Sequence, residues 1–116
     1  MSWTPESIAA ELRTTITQLE KAPKIVSDAR QAHLDAKRRH AEAKAEVRQS
    51  FDTGSYSDRE DKAVLATKEL WKDSDTADVA HSFARDVASM LEKKLSALQT
   101  EAKLIGLEHN TGGKYG

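Results

Sequence analysis

Ala63, Leu70, Ala77, Ala84, Leu91, Leu98 and Ile105 recur at strict seven-residue spacing through the second half of the chain. An α-helix turns every 3.6 residues, so a seven-residue apolar repeat holds one stripe facing a partner helix, the pattern of a coiled coil. The first half carries a matching seam. With Leu12 at a, the a series reads Leu12, Leu19, Val26, His33, His40, Val47, and the d series reads Ile8, Thr15, Ala22, Ala29, Ala36, Ala43. Folding the chain at Gly54 brings the two seams together antiparallel, with facing residues whose numbers sum to about 110 by this register. Leu12 then meets Leu98, Leu19 meets Leu91, Val26 meets Ala84, His40 meets Leu70, and Val47 meets Ala63. The expected fold is all-α: a long antiparallel helical hairpin.

Local signals set its ends. Thr4-Pro5-Glu6 supplies a hydroxyl cap, a proline where its missing N–H is harmless, and an acid at the positive end of the helix dipole. Pro23 removes a helical hydrogen bond and crowds the preceding turn, which predicts a kink or break near residues 20–23. The apolar register persists across it, so an extended first helix, about 5–49 and kinked at 23, is preferred to one that folds back. Ser57 and Glu60 fit a capping box opening a second helix over about 58–106. Within it "WKDSDTADV" (71–79) is the weak stretch, because Ser, Asp and Thr favour caps and turns. Gly106 reads as the stop, residues 109–116 as a flexible tail, and 1–108 as one domain.

Charged residues are 32% of the chain and aromatics 5%, a balance that suits long helices with a thin core and leaves part of the stability to self-association. A second apolar set (Val79, Phe83, Val87, Met90 and Ala97) lies beside the seam, and one partner helix cannot cover both stripes. Val79, Phe83, Val87 and Met90 are therefore the expected oligomer or partner interface. Trp71 joins them as an exposed-aromatic contact candidate. There is no cysteine, hence no thiolate chemistry or disulfide framework. No apolar run approaches the roughly 20 residues of a membrane span, and "MSWTPESIAAEL" lacks the order of a signal peptide, so synthesis in the cytoplasm is expected.

"QAHLDAKRRHAEAKAEV" (31–47) holds the richest chemistry. His33 and His40 lie on one face but about 10 Å apart by helix rise, whereas helical metal pairs sit one turn apart; no metal is expected. If both rings line the seam, protonation would place two charges there, making acid sensitivity a third functional class to weigh. Arg30, Lys37, Arg38, Lys44 and Arg48 offer a possible nucleic-acid contact. Residues 24–48, however, carry seven basic and four acidic side chains, and 49–78 carry eight acidic and four basic. In a hairpin these segments answer each other, with Lys37 and Arg38 expected near Asp73 and Asp75. No aromatic residue interleaves with the basic ones in sequence, and the net charge is −1. Without a phosphate-binding loop, a placed nucleophile or a concave pocket, neither catalysis nor a cofactor is expected.

From "DTGSYSDREDKAVLATKELWKDSD" to "EKKLSALQTEA", about residues 52–103, the chain resembles small coiled-coil proteins of tailed bacteriophages of actinobacteria and their prophages. The matching residues are Gly54, Ser55, Arg59, Glu60 and Ala63, then Leu91, Leu95, Ser96, Ala97, Leu98, Gln99 and Thr100. The resemblance implies a phage origin and a helical hairpin, and no activity. The Trp-x-Gly hairpin proteins of type VII secretion fit less well, because the turn here reads Phe51-Asp52-Thr53-Gly54. The expected function is a non-enzymatic module that self-associates and binds a protein partner, a virion component or a host factor, in the host cytoplasm or the virion. The alternative is a nucleic-acid-binding accessory protein for phage recombination or replication.

Overall fold

A computed structural model describes residues 3–50 and 54–115, with side chains described as far as residue 106. Among the described residues all regular structure is helical: α1 (Pro5–Ser50), α2 (Tyr56–Ala66) and α3 (Lys68–Tyr115). The chain divides into two compact units, one of residues 1–25 with 85–116 and one of residues 26–84.

The start of α1 is capped from both sides. The Thr4 Oγ1 accepts the Ser7 N–H at 3.1 Å, and the Ser7 Oγ accepts the Thr4 N–H at 2.9 Å. Two donors that the first turn would leave orphaned are thereby satisfied. Helical backbone then continues through Pro23, so the break allowed at 20–23 does not form. Pro23 is exposed, and its cost to the helix is the one hydrogen bond its ring cannot donate.

In the first unit Ile8, Thr15, Ala22 and Leu98 are buried, with Leu12, Leu19, Leu91, Leu95 and Ile105 half-buried around them. Lys94 reaches Glu11 across the helices at 3.1 Å. In the second unit Ala36, Ala63 and Thr67 are buried, flanked by half-buried Val26, His33, His40, Val47, Leu70, Ala77 and Ala84. Every residue assigned to the three series of the two seams is buried or half-buried. A fourth series, Thr67, Ser74, His81, Ala88, Leu95 and Ala102, is inward too. It repeats every seven residues but includes Thr, Ser and His, which hid it from a search for apolar periodicity.

Three expected boundaries move. The cap of the second helix is Ser55, whose Oγ accepts the Asp58 N–H at 3.1 Å, rather than Ser57. Gly54 explains the choice. It takes φ +108°, open to glycine and strained for other residues, and so turns the chain directly before Ser55. Glu60 is released from capping and pairs with α1 instead. The weak point falls at Thr67, between α2 and α3, while 71–79 are helical. The Thr67 hydroxyl donates to the Ala63 carbonyl at 2.7 Å, and that carbonyl also accepts the Thr67 N–H at 3.1 Å. Such back-bonding bends a helix without severing it, and Trp71 N–H still reaches the Thr67 carbonyl at 3.0 Å. Finally, α3 passes Gly106 and reaches Tyr115, where a stop at 106 and a tail were expected. Glycine within a helix costs about 1 kcal/mol but keeps its N–H, so alone it does not end one. Phe51, Asp52 and Thr53 lie outside the described residues.

Candidate functional site

The second unit gathers the polar chemistry. Glu60, near the start of α2, is shared by two cations of α1: Lys44 Nζ at 2.7 Å and Arg48 Nε at 2.7 Å. The Arg48 contact is ionic proximity without an aligned hydrogen bond, since neither Arg48 Nε nor Glu60 Oε2 has a hydrogen-bond partner. The Lys44 hydrogen bond is the main cause holding the Glu60 carboxyl below its ordinary value, with Arg48 adding to it against a partial loss of hydration. Two positive charges on one carboxylate leave this cluster net positive.

The other cations differ. Arg38 turns back to Asp35 of its own helix at 2.8 Å, and Gln31 donates to the same oxygen at 3.0 Å. Arg30 and Lys37 make no ion pair among the described residues. The expected pairing of Lys37 and Arg38 with Asp73 and Asp75 is therefore replaced. Arg38 finds a nearer carboxylate one turn away, while Lys37 and Asp75 only line the same groove. Lys44, Arg48 and Glu60 form a cross-helix charge cluster in this unit.

His33 behaves as a seam residue, half-buried on α1. Its ring centroid lies 6.3 Å from that of His81 and its Nδ1 3.8 Å from an Asp78 oxygen. The place of His81 beside His33 was not expected, because His81 belongs to the polar-containing fourth series. Among the described residues no three His, Cys, Asp or Glu side chains are arranged to hold a metal ion. None of the described helices is long and apolar enough to cross a membrane.

Around Trp71 the surface is concave, which the sequence reading did not anticipate. One groove, about 440 Å³, is lined by His40, Lys44, Val64, Leu65, Lys68 and Trp71. A second, about 340 Å³, is lined by His33, Lys37, His40, Trp71, Ser74, Asp75 and Asp78. No aromatic residue interleaves with the basic ones in sequence, but packing α1 against α2 and α3 brings Trp71 to the same grooves as Lys37 and Lys44. Val64 and Leu65 were also missed. They lie off the seam register, and only the exposure of both side chains reveals them.

The apolar stripe is mostly open. Trp71 is 54% exposed, Val79 62%, Phe83 68% and Met90 66%, while Val87 is half-buried. Comparison with protein-family models, with curated protein sequences and with solved structures returned no match.

Proposed function

We propose that the chain is an antiparallel helical hairpin acting as a non-enzymatic interaction protein. It self-associates through Val79, Phe83, Val87 and Met90 and binds a protein partner beside Trp71. The hairpin is supported by the order of cross-helix partners: Arg48 and Lys44 meet Glu60, His33 meets Asp78. Partner numbers rise along the second half as they fall along α1. Glu11 with Lys94 follows the same rule in the other unit. With the resemblance of residues 52–103, the reading extends to a phage protein whose partner is a virion component or host factor, met in the host cytoplasm or in the virion.

The observation that carries the proposal is an inversion of side-chain size. The apolar residues that are buried are Ile8, Ala22, Ala36, Ala63 and Leu98, whereas Leu65, Trp71, Val79, Phe83 and Met90 are each more than half exposed. Burying such side chains contributes about 1.5–3 kcal/mol each, and a lone copy forgoes that. The nucleic-acid alternative is weakened because Arg38, Lys44 and Arg48 already hold carboxylates. Light scattering tests the proposal. At about 100 µM, where micromolar association is complete, the wild type should exceed monomer mass. Phe83→Asp, which sets a charge in a desolvated contact, should return it to monomer with helicity retained. A wild type that stays monomeric with a cooperative melt would overturn self-association.

A further inference from the structure

We propose that the 440 Å³ groove between His40 and Lys44 of α1, Val64 and Leu65 of α2, and Lys68 and Trp71 of α3 is a docking site. Its occupant is an acidic, amphipathic helical segment of a protein partner. The inference rests on the interaction-protein reading and gives that partner a chemistry. All six lining residues belong to one compact unit.

The apolar half of the argument is exposure. Val64 is 50% exposed, Leu65 73% and Trp71 54%, three large side chains around one groove with no core to cover them. A groove between two helices takes the apolar face of a third through anchors spaced three, four and seven residues apart. Val64, Lys68 and Trp71 repeat that spacing on the receiving side.

Charge selects the occupant. Among the described residues no carboxylate lines the groove. Lys44 belongs to the net-positive cluster with Arg48 and Glu60, and Lys68 makes no ion pair among the described residues. Across Trp71 the sign changes, because the second groove sets Asp75 and Asp78 against one lysine, Lys37. The positive field is thus one groove long, enough for one or two carboxylates flanking a leucine-type anchor. A single-stranded nucleic acid fits worse. Its phosphates would run on into Asp75 and Asp78, and Val64 and Leu65 offer no face on which bases stack.

The test uses full-length protein carrying Trp3→Phe, so that Trp71 alone reports fluorescence. Three ligands are titrated at low salt: a synthetic amphipathic helical peptide with leucines on one face and glutamates on its flank, its lysine-for-glutamate counterpart, and an oligothymidine. The acidic peptide should shift Trp71 emission to the blue and bind at least about tenfold more tightly than the other two. In anisotropy with labelled acidic peptide, Trp71→Ala should abolish binding. Lys68→Glu, on an exposed position, should weaken it about tenfold with helicity unchanged. Equal binding of both peptides, preference for oligothymidine, or indifference to Lys68→Glu overturns the assignment. Light scattering on the same samples separates the two readings. Self-association without acidic-peptide selectivity overturns the groove alone. Selectivity in a protein that stays monomeric upholds the groove and overturns self-association.

Discussion

Thr15 is fully buried and its hydroxyl has no hydrogen-bond partner, whereas the hydroxyls of Thr14, Thr17 and Thr100 each donate to the carbonyl one turn before. A buried hydroxyl left unpaired costs about 1–3 kcal/mol. Thr15→Val keeps the branched shape and removes that group, so it should stabilise the fold by about 1 kcal/mol. Chemical denaturation measures this, and a lower midpoint at unchanged slope would contradict it. The seam register put Thr15 inside, but whether its hydroxyl found a partner was not legible, because that depends on rotamer and neighbours. Glu60 gives a pH prediction. Its folded carboxyl is held below the ordinary value of 4.5, so its contribution is present above 4.5 and is lost as pH falls through the lowered folded value. The wild type should lose melting temperature more steeply than Glu60→Gln between about pH 6 and pH 3. The difference should be small, because the group is partly exposed and salt-screened, and parallel curves would show that Glu60 adds nothing.

Among the elements, the turn before α2 is the most specific device. Gly54 has φ +108°, and a Cβ built there would meet Asp58 Cβ at 3.7 Å, an ordinary contact. The cost of Gly54→Ala is therefore backbone strain and not collision, about 1–2 kcal/mol. Gly106→Ala has open space around it within a helix and should instead stabilise by up to about 1 kcal/mol. Thermal melts of the two variants should move in opposite directions; a shared sign would refute the distinction. Helix identity and seam register were legible because apolar spacing directly reports which face is buried. Cap choice was not. Ser55 and Ser57 are equally good capping residues, and the glycine beside Ser55 decided between them. The series through Thr67, Ser74 and His81 was hidden for a related reason: its inward residues include polar side chains, which a search for apolar spacing passes over.

For the molecule as a whole, the seven-residue repeats made an all-α chain readable, while the groove beside Trp71 was invisible, since it exists only once residues near 40 and 68 are brought together. The proposed hairpin pairs with itself along the seams and with other copies along the outer stripe. One measurement addresses both levels: lysine crosslinking of an equal mixture of heavy- and light-nitrogen protein, read by mass spectrometry. In the proposed hairpin, links from Lys21 to Lys93 or Lys94 should join residues of a single isotope. Links that join different isotopes should arise near the stripe, at Lys72 and Lys93, and vanish with Phe83→Asp. Dominant single-isotope links from Lys21 to Lys68 or Lys72, or a complete lack of mixed-isotope links at about 100 µM, would contradict it.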